Sequence, residues 1–234
     1  MLSVEAFAKH LDTAFLSPAL TEKEIVQQAR IAREYQVASF YTMPVWTSVV
    51  ARELAGSGVH VGAACSFPHG ATTLNMKIQE MEEVVAQGAT SIDLVANVGA
   101  IKGGDWQLVE REVKALRQKA GNNLAKLIIE TCFLTDDELA RVVQICSAEG
   151  IDYAKSGTNA QGKSVDHRVR VMLDNVSGNT RVKVSALPDT FMMSTILHLI
   201  DEGVGLFGTM YAADCIDEYR AYLAWCEARG QHQQ

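Results

Sequence analysis

Three lysines, two aspartates, a glutamate and an arginine fall inside short apolar runs, where charged residues are costly. The runs are SIDLVANV (91–98), AKLIIET (125–131), IDYAKSG (151–157) and RVKVSA (181–186). Each has the length of a strand, and in a strand alternate side chains share a face. Asp93, Val95 and Asn97 then share one face of the first run, and Lys126, Ile128 and Glu130 one face of the second. Tyr153 and Lys155 share a face of the third, and Arg181, Lys183 and Ser185 a face of the fourth. Singly, each charge has a plain structural explanation. Lys155 at a strand end can keep its head in water, Asp93 can cap a loop, Lys126 and Glu130 can pair, and Lys183 can face a helix. Four strands repeating the pattern make that account poor, because buried charges cost several kcal/mol unless paired.

Lys155 and Lys183 stand on consecutive strands, and neighbouring strands lie about 4.8 Å apart. Two inward-facing ammonium groups at that spacing repel. A like charge and partial desolvation both lower a lysine pKa. A lysine lowered towards neutrality attacks a carbonyl to form a Schiff base, whose iminium draws electrons from the adjacent carbon. An acidic residue with a water then shuttles the protons, and Asp93 is the natural candidate.

The elements that would hold these residues alternate along the chain. Further strand-like runs are LDTAFL (11–16), VASFYTM (37–43), VHVGAACSF (59–67) and GVGLFGTM (203–210). Amphipathic stretches lie between them at 21–35, 72–88, 135–150 and 189–203. Thr21 with Glu24 and Thr135 with Glu138 fit the capping box, and Gly88, Gly150 and Gly203 stand where helices stop. Eight strands, each followed by a helix, in 234 residues predict an α/β protein: one (β/α)8 TIM barrel over 1–234. A doubly wound open sheet is the runner-up, but no G-x-G-x-x-G follows the first strand. In a barrel the site lies at the C-terminal strand ends, where these polar residues fall.

Composition narrows the function. A net charge of −7 argues against a nucleic-acid partner, which needs a basic face. No apolar run is long enough to span a bilayer, and the N-terminus lacks the pattern of a secretory signal. Five cysteines without C-x-x-C spacing point away from a disulfide framework or zinc site and towards a reduced, cytoplasmic protein. The six histidines are scattered, so neither a metal nor another cofactor is expected.

The stretches VASFYTMP (37–44), FPHGATT (67–73), SIDLVANVGAIKGGDW (91–106), AKLIIETCFLTDDEL (125–139), DYAKSGT (152–158) and VKVSA (182–186) together resemble the deoxyribose-phosphate aldolases, class I Schiff-base aldolases. The likeness spans nearly the whole chain. It implies the barrel fold, Lys155 as the Schiff-base lysine, Lys183 as the second lysine that perturbs it, and Asp93 as the aspartate of the proton relay. A small carbonyl compound is the partner this implies, and family members are often dimers, so a homo-oligomer is expected.

Departures from the family bear on the substrate. Ser156-Gly157-Thr158-Asn159 replaces the usual Thr-Ser-Thr-Gly. Ala186-Leu187-Pro188-Asp189 replaces a Gly-Gly turn that cradles phosphate, where proline offers no N–H and an aspartate repels a dianion. Gly208-Thr209-Met210-Tyr211 replaces Gly-x-Ser-Ser. Asp12 is retained, with Ala14 in place of a threonine, and Tyr41 replaces a common cysteine. The expected substrate-binding set is Asp12, Tyr41, Asn97, Lys126, Glu130, Thr158, Ser185, Gly208, Thr209 and Met210. The expected activity is a class I aldolase whose acceptor is not a terminal phosphate ester. Ordinary 2-deoxyribose-5-phosphate cleavage, another reaction of the same iminium, and a catalytically silent binding barrel are the alternatives.

Overall fold

The computed structural model of the protein describes residues 1–185 and 192–231. Its strands are β1 (Leu11–Phe15), β2 (Ser39–Thr42), β3 (His60–Cys65), β4 (Ser91–Val95), β5 (Leu124–Ile128), β6 (Tyr153–Lys155), β7 (Arg181–Val184) and β8 (Leu206–Thr209). All pair in parallel in chain order, and β8 closes on β1, with Asp12 opposite Gly208. This is the (β/α)8 barrel expected.

The helices form the outer layer. A short α1 (Val4–Ala8) precedes β1. Then come α2 (Glu22–Tyr35), α3 (Thr47–Glu53), α4 (Leu74–Ala86), α5 (Val98–Lys102), α6 (Trp106–Ala120), α7 (Asp136–Ala148), α8 (Asp166–Asn175), α9 (Met193–Asp201) and α10 (Ala212–Gln231). Local chemistry sets their ends. Thr21 and Thr135 make reciprocal capping boxes with Glu24 and Glu138, satisfying N–H groups that the first helical turn leaves unpaired. Gly88, Gly150 and Gly203 follow α4, α7 and α9 with positive φ, a conformation that costs glycine least. No helix among the described residues is long and apolar enough to cross a membrane.

Alternation divides the buried residues into two sets. Leu11, Phe40, Ala63, Ile92, Leu94, Leu127, Ala154, Val182 and Phe207 face outward into an apolar layer against the helices. Facing the axis are Asp12, Ser39, Tyr41, Ser91, Asp93, Lys126, Tyr153, Lys155 and Lys183, all buried. Barrels of this kind ordinarily fill their interiors with branched aliphatics, so a polar interior marks a site. Outside the axis, Lys77 of α4 donates to Glu112 of α6 at 2.7 Å and to the Val95 carbonyl at 3.0 Å, fully buried. That pair ties two helices to the exit of β4, two residues beyond Asp93.

Candidate active site

Closing the barrel brings together charges that lie far apart in sequence. Lys155 Nζ donates to Asp93 Oδ2 at 2.7 Å. Lys183 Nζ lies 3.0 Å from the same oxygen and 2.8 Å from Asp12 Oδ2. Lys126 Nζ donates to Asp12 Oδ2 at 2.8 Å. The order is Lys155, Asp93, Lys183, Asp12, Lys126: three ammonium groups joined by two carboxylates. Each carboxylate bridges through one oxygen, while Asp12 Oδ1 and Asp93 Oδ1 have no hydrogen-bond partner among the described residues.

Tyr41 lies under this row. Its ring centroid is 4.2 Å from Lys183 Nζ, 5.1 Å from Lys126 Nζ and 5.7 Å from Lys155 Nζ, and ring faces attract cations. The ring fits because the neighbouring strand carries Gly62 there. A Cβ at Gly62 would stand 2.6 Å from ring carbons of Tyr41. The Tyr41 hydroxyl shares a 2.6 Å hydrogen bond with Ser91 Oγ. Burial, with Asp93 and Asp12 nearby, raises the phenol well above its ordinary range, so it stays neutral.

The environments separate the lysines. Burial lowers Lys155 to about 8, with Lys183 adding to the effect against the opposing pull of Asp93. For Lys183, burial is outweighed by the two carboxylates, and its pKa rises above the usual lysine value. Asp93 lies well below the usual carboxylate range, because Lys155, Lys183 and Lys126 overcome its burial. The lysine side chains also differ in access: Lys155 is 6% exposed, Lys183 1% and Lys126 0%. Burial also lowers Lys126, so of the two lowered lysines Lys155 is the one that opens towards the mouth.

Around the mouth, several expected residues take other places. Asn97 does not extend the inward face of β4. That strand ends at Val95, and Asn97 caps α5, accepting from Ala100 N at 3.0 Å. Thr209 alternates away from the axis, in register with Thr13, and its Oγ1 accepts from Tyr211 N at 3.1 Å. Met210 lines a small cleft with Thr13, Gln28 and Tyr35 on the α2 side, outside the barrel. Asp12 and Lys126, at the buried end of the row, and Tyr41 beneath it are 0%, 0% and 1% exposed. The Leu187-Pro188-Asp189 turn lies outside the described residues.

The remaining expected residues gather at the C-terminal strand ends. Glu130 follows β5 in the left-handed region, and its carboxylate accepts from Thr158 N at 3.2 Å. Burial raises its pKa. Lys126 therefore pairs with Asp12 across the barrel and not with Glu130. Ser185 Oγ donates to the Gly157 carbonyl at 2.5 Å, while Ser185 N donates to Ser156 Oγ at 2.9 Å. Gly208 faces the axis, where a Cβ would lie 3.4 Å from Lys183 Cε.

Four residues of the site escaped the sequence reading. Ser156, fully buried, also donates to the Ser185 carbonyl at 2.6 Å and fastens the exits of β6 and β7 together. Gly62 makes room for Tyr41, and a glycine inside a strand was the available signal. His69 and Gln161, from the loops after β3 and β6, approach to 2.5 Å over the mouth; nothing in their spacing marks this contact.

Comparison with known proteins places this geometry in a family. No family model matches the chain. The chain is 37% identical over 180 residues to the deoxyribose-phosphate aldolase of Bacillus cytotoxicus, covering 76% of this chain and 81% of that one. Among solved structures, it aligns with QR15, an aldolase, at a TM-score of 0.84 and 26% identity, over 94% of this chain and 97% of the other. The deoxyribose phosphate aldolase from Aeropyrum pernix, described as tetrameric, shares the fold at a TM-score of 0.84 and 24% identity, over 94% and 93%. A lysine-lined barrel with relatives of this kind is an aldehyde-lyase, and the chain belongs to the deoxyribose-phosphate aldolase family of class I aldolases.

Proposed function

We propose that Lys155 is the amine that forms the Schiff base, that Lys183 keeps it unprotonated, and that Asp93 handles protons beside it. The observation that carries this reading is an accessible lysine with a pKa of about 8, 2.7 Å from a buried carboxylate. At pH 7 roughly a tenth of such a group is free amine, against about one part in 2,500 for an ordinary lysine. The Lys155 lone pair adds to the substrate carbonyl carbon, and loss of water leaves the iminium. In the cleavage direction a base takes the β-hydroxyl proton, the Cα–Cβ bond breaks, and its electron pair flows to the iminium nitrogen. The aldehyde acceptor departs and an enamine remains. Protonation at carbon followed by hydrolysis releases the donor carbonyl and restores Lys155. Asp93 Oδ1, free of other hydrogen bonds among the described residues, is available to hold the water or hydroxyl that exchanges these protons.

The role of Lys183 has a signed test. Free amine is the reactive form, so kcat/KM rises with pH through the Lys155 pKa. In Lys183→Leu one ammonium neighbour is gone and Asp93 belongs to Lys155 alone. The Lys155 pKa then rises, and the inflection of kcat/KM against pH moves upward from about 8. An inflection that stays in place, or moves down, removes Lys183 from this role.

The acceptor we propose is an aldehyde without a terminal phosphate ester. Support comes from the turn after β8, where Thr209 Oγ1 and Tyr211 N satisfy each other. An anion site needs converging free donors, and the Tyr211 N–H of this turn is already taken. The second reading is cleavage of 2-deoxyribose 5-phosphate, favoured by the name the relatives carry. Comparing kcat/KM for 2-deoxyribose 5-phosphate and 2-deoxyribose separates the two. Equal values, or a preference for the free sugar, fit the first. A hundredfold preference for the ester, about 2.7 kcal/mol of transition-state binding, fits the second.

A further inference from the structure

We infer that Lys126, which faces no solvent, is a positioning residue whose charge drives the proton from Lys155 across the barrel. This rests on Lys155 being the Schiff-base amine. The row holds three cations and two anions, so with every group charged it carries one excess positive charge inside the barrel. Losing one proton makes the row neutral. Lys183 is the poorest group to lose it, because it touches both carboxylates. The end members Lys155 and Lys126 touch one each.

The two ends differ in what else holds them. Lys126 lies 5.1 Å from the ring centroids of both Tyr41 and Tyr153, and these faces stabilise its charge. Burial and Lys183 lower Lys126 as well, against the opposing pull of Asp12 and Asp93, so the ring faces are what set it apart from Lys155. Lys155 has the Tyr41 ring alone among the described residues, at 5.7 Å, so its charge is held less well, and it is the end with exposed surface. The excess therefore leaves from Lys155.

The groups facing Lys126 are Asp12 from β1, Tyr41 from β2, Asp93 from β4, Tyr153 from β6 and Lys183 from β7, with His60 of β3 within electrostatic reach. Those facing Lys155 are Asp12, Tyr41, Asp93 and Lys183, with Glu130 from the exit of β5. The part of β8 in register with this row offers Leu206 and Gly208, which do not titrate. No carboxylate pairs with Lys126 apart from Asp12 among the described residues, so deleting Lys126 alone changes the balance from one excess cation to none. Asp12 then still holds Lys183 at 2.8 Å, and no charge is left unpaired.

The test is the pH dependence of borohydride trapping with acetaldehyde as the probe, with the labelled residue mapped by mass. Reduction of the imine fixes the two-carbon unit on nitrogen as a secondary amine. In Lys126→Met the inflection should move upward by about one pH unit, the scale of removing one nearby like charge, with the label still on Lys155. Lys126→Gln, which keeps an N–H donor for Asp12, should do the same and serves if the Met variant does not fold. Asp12→Asn/Lys126→Met removes one charge of each sign and leaves two cations on one anion. It should return the inflection towards the wild-type value. A purely structural role for Lys126 would not reverse in this way. An unmoved inflection in the folded single variants, or a double variant displaced as far as the single, overturns the inference. A label on a lysine other than Lys155 instead overturns the assignment of the amine, and this inference with it.

Discussion

Lys155→Ala is expected to lower aldol turnover by at least roughly 10⁴-fold, the scale reached when an enzyme loses its nucleophile, while the protein stays folded. The structure argues for both halves. Lys155 lies at the end of the charge row, so its removal leaves Asp93 paired with Lys183 at 3.0 Å and uncovers no unpaired carboxylate. Neither of the other lysines can replace it. Lys183 holds two carboxylates and is raised above the usual lysine range, and Lys126 has no exposed surface. Loss of fold would show as a lost unfolding transition and is distinguishable from loss of chemistry. A folded Lys155→Ala variant that keeps turnover within a few-fold of wild type would move the amine elsewhere.

Asp93→Asn should separate imine formation from the proton transfers that follow it. The substitution keeps the shape and removes one negative charge, leaving three cations on the single anion Asp12. Lys155 then gives up its proton more readily, so the imine still forms and its pH threshold moves down. Turnover should nonetheless fall by roughly 10²–10⁴, the usual range for a lost general acid–base. The Asn side chain can hold a water but cannot accept and return its proton. Turnover within a few-fold of wild type, measured with an intact unfolding transition, would remove Asp93 from the mechanism. A pH threshold that moves upward would contradict the electrostatic account of Lys155.

Much of this site was legible because strand alternation is a rigid rule while a strand lasts. Asp93, Lys126, Tyr153, Lys155 and Lys183 all face the axis as their spacing predicts. The rule stops where pairing stops. Asn97 lies two residues past the end of β4, and its side chain turns back to cap a helix. Glu130 lies two past β5 in a left-handed conformation that no alternation describes. Thr209 obeys alternation and for that reason faces the helices, one position out of phase with Gly208. The pairing of Lys126 with Asp12 was not legible, because β1 and β5 meet only across the closed barrel. The seat of Tyr41 depends on a missing side chain on the neighbouring strand, which reads in sequence only as one glycine among 17.

The central claim, that Lys155 is the amine that bonds covalently to substrate, is tested most directly by locating the bond. The native protein is incubated with a carbonyl substrate, the imine is reduced with borohydride, and the modified peptide is sequenced by mass spectrometry. The predicted result is one adduct, on Lys155, whose yield rises with pH through about 8 and which is absent from Lys155→Ala. An adduct on Lys183 or Lys126, or none on a protein that turns over substrate, would contradict the account.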